Sequence, residues 1–507
     1  MRRGAAFFLI CCWLASAMGG RAAAAGAGFD AGMTASVWSA ALAYIAPRAL
    51  TPVTIPQMTI WGLNGLAALD PNFNTVFQDG QVRLYGPNGL LFALPAPAAN
   101  DANGWGQAAA RIAAAAYANS AALQNAGTQE IIGNFFDELF NHFDPYSRYE
   151  SPVQAAQEQL MITGLAGTGL TLAAENGRVV VAQVAADSPA DDAGIQPGAV
   201  VLSVDGRAAS PGMVDELNAR MNGLPNTTLD LVIADPDDPA GRQSFTLTRG
   251  FIPPQTVFVQ PPLGHGIVEM KITGFNKGTG DQFAMALAQV MSQNGTLAGL
   301  VLDLRGNRGG VLRQAVLVAD SLLQSGPIAE TNGRDPDADQ FFKAEGADLT
   351  GGAKLAVLVD GQTASAAEIL AAALADDGRG VVIGSETLGK GLVQTVTALP
   401  DGGELYVTWS QVLAPRGWPL QGLGLMPQVC TSNGPAALKA QLNALAAGRN
   451  LMAPALSQAR AMRPPVSVEA VLALRSHCPA AIGGAMDEEA AQAVLANNAM
   501  YQAALLH

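Results

Sequence analysis

Ser365 and Lys390 are the side chains whose types and settings could do covalent chemistry. Ser365 follows the apolar run KLAVLVDG and opens the segment SAAEILAAAL, so a strand, a tight turn and a helix start place it at a helix N-terminus. There the first backbone N–H groups lack intrahelical partners and the local field favours negative charge. A nucleophile needs such a place, because acyl transfer develops an oxyanion. The bland alternative is strong: Ser365 with Glu368 matches the S-x-x-E capping box, and on that motif alone a plain cap is the better reading. Lys390 changes the balance. It stands between Gly389 and Gly391 in SETLGKGLVQ, and the chain's other lysines are only Lys271, Lys277, Lys343, Lys354 and Lys439. Flanking glycines let the backbone turn sharply, and a lysine withdrawn from water loses basicity until it can serve as a general base for a serine. Taken alone it reads better as a surface-loop or anion-binding lysine. The third piece is LVLDLRGNRGG, Leu300 to Gly310, an apolar strand ending in a glycine-rich turn that offers backbone N–H donors. A Walker-type phosphate loop is disfavoured, since no Gly-Lys-Ser/Thr follows.

Other chemistries find little support. His142, His265, His477 and His507 are the only histidines, and no His/Cys/Asp/Glu cluster has ligand spacing. No metal or cofactor is expected.

The elements that must position these residues alternate. From His265 to Val429, strands (GIVEMKI, LAGLVLDL, KLAVLVDG, GVVIGS) alternate with helical runs (DQFAMALAQVMSQ, VLRQAVLVADSLLQ, AAEILAAALADD), the pattern of a layered α/β domain. LVQTVTALPDGGELYVTWSQVLAP reads as a hairpin turning at Asp401-Gly402-Gly403. Before it, short β runs between Ile162 and Gly250 make a small β-rich module, joined by the Pro-rich FIPPQTVFVQPPLG. The expected layout is a leader at 1–25, a mostly helical region at 26–160, the β-rich module at 161–250, the α/β core at 251–430 and a helical tail at 431–507.

The bulk numbers set outer bounds. A length of 507 residues suits about three domains. A net charge of −14 argues against nucleic acid as a partner. Arg2 and Arg3, an apolar run from Ala5 to Ala17 and small residues to Ala25 are laid out as a secretory signal, and the run is too short to span a bilayer comfortably. Cys430 and Cys478 remain after such a leader is removed, and pairing between them is left open.

Four segments, in order, resemble the C-terminal processing (tail-specific) peptidases: DLRGNRGG, DGQTASAAEILAAAL, GSETLGKGLVQ and SQVLAPRGWPLQGLGLMPQV. The β-rich module, through GTGLTL and SPADDAGIQPGAVVLSVDG, is similar to a PDZ domain. The resemblance implies a crotonase-like α/β core and a secreted, envelope or periplasmic serine endopeptidase. It implies that Ser365 attacks the peptide carbonyl, Lys390 takes its proton and Gln394 orients the lysine. It implies an oxyanion hole of backbone N–H groups from Gly309, Gly310 and Ala366. It implies a PDZ loop, Gly167-Thr168-Gly169-Leu170, that holds the free C-terminus of a protein or peptide substrate, with an adaptor or a second copy as further partner. Arg308, Gln428 and Tyr146 depart from the family's usual proline, aspartate and histidine. Two other readings compete: a catalytically silent or partner-gated PDZ scaffold, and an acyl-CoA enzyme of the same core fold.

Overall fold

Continuous apolar runs such as LVLDL and LAVLV suit strands covered on both faces, and they form the middle of a six-stranded sheet. In order across it stand Val257–Val259, Ile267–Ile272, Gly299–Asp303, Lys354–Val359, Val381–Gly384 and Val429–Cys430. The first pairing is antiparallel and the other four are parallel. The computed structural model of the chain describes residues 28–185, 188–235 and 241–506; the leader read at 1–25 lies outside the described residues.

Each face of this sheet has its own apolar layer. On one face the helices Thr279–Asn294, Leu312–Asp320 and Ala366–Asp376 pack on Met270, Leu300, Leu302 and Val357. The helix Ala366–Asp376 is buried at every residue, and its alanines let the backbone come close to the sheet. The opposite face, through Val301, Ala356, Leu358 and Ile383, is covered by Leu438, Leu445, Val494, Leu495 and Tyr501 of the C-terminal helices. The tail is thus the second covering layer of the sheet. Cys430, in the last strand, forms a disulfide with Cys478, their Cα atoms 5.8 Å apart.

A second sheet contains Gln340–Ala344, Gly326–Gly333, Glu404–Leu413 and Leu392–Ala398, with Arg148–Glu150 added against Glu404–Leu413. The β-rich module is a sheet ordered Arg242–Thr248, Thr228–Ala234, Val200–Val204, Arg178–Val184, Leu170–Glu175, with the helix Val214–Met221 beside its last strand.

The described residues divide into two compact units, one drawn from 28–39 and 56–139 and the other from 40–55 and 140–506. Helices make up most of the region read as helical at 26–160, but the first unit also holds strands that the sequence reading did not expect. Between its helices lies a three-stranded antiparallel meander, Asn74–Gln78, Gln81–Gly86 and Gly89–Pro95. Asp79-Gly80 and Asn88-Gly89 turn its two hairpins with positive φ at Asp79, Gly80 and Gly89. Both dipeptides are hairpin signals that a search for helix breaks passes over.

Candidate active site

Ligand-facing loops of parallel sheets lie beyond the strands' C-terminal ends, and three such loops meet here. They follow the adjacent parallel strands Gly299–Asp303, Lys354–Val359 and Val381–Gly384. They carry, in turn, the glycine-rich turn, Ser365 and Lys390.

Ser365 is half-buried and sits at the N-cap of Ala366–Asp376 with φ 56° and ψ −120°. Such a backbone is costly for a non-glycine residue and persists only where its surroundings hold it. They do so closely. Asp360 Oδ1 accepts the N–H groups of Gln362 and Thr363, each at 3.0 Å, and the Thr363 hydroxyl donates to Leu304 O at 3.0 Å. Ala364 N–H donates to Asn307 O at 2.9 Å. Glu368 closes the capping box, accepting Ser365 N–H at 2.8 Å.

Glu368 does more than cap. It is fully buried, and its carboxylate also accepts the N–H of Gly389 at 2.7 Å and of Lys390 at 2.9 Å, together with the Thr387 hydroxyl. One carboxylate therefore ties the backbone of Ser365 to the backbone of Lys390. Burial pushes its pKa up, while these hydrogen bonds pull it down. Sequence reasoning saw only the cap in S-x-x-E; nothing in the spacing announces the second set of partners.

The Lys390 side chain is partly withdrawn from water. Desolvation lowers its pKa, Arg148 lowers it further, and Asp144, Glu158 and Glu368 oppose the shift. Its Nζ lies 4.8 Å from the centroid of the Tyr146 ring, at the position where the sequence departs from histidine. Among the described residues Lys390 Nζ has no hydrogen-bond partner, so its lone pair or protons are free for chemistry. Gln394 is not joined to it. The Gln394 amide donates instead to Leu392 O at 3.2 Å and Thr408 Oγ1 at 3.0 Å, and Thr408 in turn donates to Asp144 at 2.7 Å.

The glycine turn leans directly on the serine. Gly309 has φ +93°, and a Cβ there would stand 2.8 Å from Ser365 Cβ and from Ala364 O, so only glycine fits. The Gly309 N–H, expected as an oxyanion donor, is already used: it donates to Asn307 Oδ1 at 2.8 Å, while Asn307 Nδ2 donates to Ile272 O at 2.8 Å. Among the described residues the N–H groups of Gly310 and Ala366 have no partner in the chain. Asn307, buried beneath the turn, was missed because asparagine between glycines reads as ordinary turn chemistry.

Two comparisons bear on what this arrangement is. Residues 266–431 match the model of Peptidase family S41, and residues 180–235 match a PDZ domain. Over 308 residues the chain is 32% identical to the carboxy-terminal-processing protease of Bartonella bacilliformis, covering 59% of this chain and 69% of that one. It is 35% identical over 292 residues to the carboxyl-terminal-processing protease of Synechocystis sp., covering 56% and 67%. The chain belongs to the C-terminal processing peptidase family. It is a serine-type peptidase with a PDZ domain. Among solved structures, a photosystem II D1 C-terminal processing protease is 29% identical, covering 60% of this chain and 81% of that chain, with a TM-score of 0.35.

In this peptidase the PDZ edge has its own detail. Leu170–Glu175 is one of the two edge strands of the sheet. Thr168 N–H, expected in the carboxylate loop, donates to Met221 O at 2.9 Å, and Gly167 pairs with Gly250 and bridges to Asn222. Those two residues are thereby taken up in holding the loop. Gly169 O likewise accepts Ala185 N–H at 2.8 Å. Further along the edge, Asn218 of the helix Val214–Met221 donates to Leu172 O at 2.9 Å and accepts Leu172 N–H at 2.8 Å. Asn218 so occupies the backbone pair to which an added strand would bond. Of the departures from the family pattern, Gln428 is buried and structural, accepting Val382 N–H at 2.7 Å, while Arg308 is exposed.

Proposed function

We propose that Ser365 is the nucleophile of this peptidase and that neutral Lys390 is its general base. Ser365 Oγ attacks the peptide carbonyl carbon as Lys390 Nζ takes its proton. The N–H groups of Gly310 and Ala366 receive the oxyanion. Collapse of the tetrahedral intermediate expels the amine, which takes the proton back from Lys390. Water then releases the acyl group by the same route in reverse. Gln394 acts on Lys390 through the Thr408–Asp144 network. The single observation that carries this reading is the buried Glu368 carboxylate, bonded at once to the backbone of Ser365 and of Lys390. A plain cap has no need of the second partner.

The rest of the reading concerns place and substrate. The chain is exported by the leader at 1–25 to the periplasm or cell envelope, where the Cys430–Cys478 disulfide is at home. The PDZ domain takes the free C-terminus of an unfolded protein, its carboxylate at Gly169 and Leu170 and its strand along Leu172. A partner-gated form of this function is favoured by one observation, the Asn218 side chain seated on Leu172.

The test uses an unfolded protein with an apolar C-terminus, supplied with that end free or amidated. Ser365→Ala is expected to abolish cleavage while retaining binding, and the amide is expected to bind more weakly. A folded Ser365→Ala variant that cleaves at the wild-type rate would remove the assignment.

A further inference from the structure

The C-terminal tail lies beyond the stretch matched by the protease family and carries no motif of its own. One short piece of it, Arg475 to Glu488, nevertheless touches all three loops that carry the candidate site. On the lysine loop, Arg475 Nη2 donates to Thr387 O at 2.8 Å, and Ser385 Oγ both donates to Ala481 O at 2.9 Å and accepts Ala481 N–H at 3.0 Å. On the nucleophile loop, Gly361 N–H donates to the same Ala481 O at 2.8 Å, and Gly483 N–H to Asp360 Oδ2 at 3.2 Å. On the glycine turn, Arg305 donates to Gly484 O at 2.9 Å and to Glu488 at 2.8 Å. The piece is itself anchored at one end by the Cys430–Cys478 disulfide and by Asn433 donating to His477 O at 2.7 Å. At the other end Thr431 donates to Asp487 at 2.6 Å.

We propose that residues 475–488 brace the catalytic loops from behind, and that Arg475 is a positioning residue that sets Lys390 against Ser365. Arg475 also donates to Leu423 O at 3.1 Å, so its planar fork joins the lysine loop to the loop after Trp418. The path to the chemistry is short. Arg475 holds the carbonyl of Thr387, whose hydroxyl is bonded to Glu368, and Glu368 holds the N–H groups of Ser365 and Lys390. Arg475 touches no reacting atom. Removing it lets the lysine loop shift, and a displacement near 1 Å in a catalytic group can cost on the order of a hundredfold in rate. The substrate is held elsewhere, by the PDZ edge, so its binding is spared.

This inference rests on the Ser365–Lys390 reading, and the experiment separates the two. Full-length wild type, Ser365→Ala, Arg475→Met, Arg475→Lys and Cys430→Ser/Cys478→Ser are compared for kcat, KM and thermal unfolding on the same unfolded substrate. Arg475→Met is expected to lower kcat by on the order of tenfold or more at unchanged KM, with a melting temperature lowered by a few degrees at most, so that the variant is folded at the assay temperature. Arg475→Lys is expected to recover part of the loss, since an ammonium can bond one carbonyl but not bridge two loops. The cysteine pair variant is expected to fall in kcat with Arg475→Met. Wild-type kcat in Arg475→Met, or a loss explained wholly by unfolding, would overturn the brace while a dead Ser365→Ala left the catalytic reading intact. Activity surviving in Ser365→Ala would overturn the catalytic reading itself.

Discussion

At the scale of single residues, the site is governed by how a lysine is kept less basic than in water. Desolvation is the largest cause, and Arg148 is the next. Arg148 is held in place by Glu150 at 2.7 Å and by the face of Tyr406 at 3.8 Å. A general base works in proportion to its unprotonated fraction. Removing a neighbouring cation favours the charged ammonium, so Arg148→Gln is expected to raise the Lys390 pKa. The rising limb of kcat/KM then moves to higher pH, and the rate at neutral pH drops by roughly severalfold, recovering in alkali. A profile unmoved by the substitution would show that Arg148 has no electrostatic role at Lys390. Ser365 and Lys390 stood out in the sequence as candidates because a strand, a turn and a helix start bracket the serine and glycines bracket the lysine. The residues that hold them were not. Glu368 showed only its local partner, because its bonds to Gly389 and Lys390 join positions 21 and 22 residues away. Spacing reports neighbours along one helix, not those delivered by the next strand.

At the scale of elements, the α/β alternation was legible because parallel strands buried on both faces are continuously apolar. The meander at 74–95 was not, because its strands are short and half-exposed and its neighbours are alanine-rich helices. The PDZ edge shows a different gap. The loop GTGL was visible, but that its Thr168 N–H is spent on Met221 O depends on the element packed beside it. Asn218 gives this scale its test. Two hydrogen bonds to Leu172 must be exchanged when a peptide adds to the edge, and each is worth roughly 0.5–1.5 kcal/mol net. Asn218→Ala is therefore expected to tighten binding of a free-C-terminal peptide, by roughly five- to a hundredfold, as read by calorimetry. Weaker binding would mean that Asn218 contacts the ligand rather than competing with it.

At the scale of the whole molecule, the C-terminal helices complete the central sheet and bring a cation to the lysine loop. Beside Arg475 lies Glu386, buried, with one carboxylate oxygen unpartnered among the described residues. Burial pushes its pKa up to about 8, from an ordinary 4.5, with Arg475 pulling the other way. The native state thus binds this proton more tightly than the unfolded chain does. Its stabilisation is complete below about pH 4.5 and is lost as pH rises towards 8. Glu386→Gln keeps the neutral shape without the proton, and is expected to melt at a higher temperature than wild type at pH 8 and nearly the same at pH 5. Equal melting at both values would mean that the carboxylate is solvated or paired.

The most direct measurement of the central claim is kcat/KM from pH 5 to 10 on one unfolded substrate with an apolar C-terminus, for wild type, Ser365→Ala and Lys390→Ala. The account predicts a wild-type rate that rises with pH along a limb below the ordinary lysine value. It predicts that both variants, folded by thermal melting, lose cleavage at every pH. A Lys390→Ala variant that keeps the same rate and the same limb would contradict it.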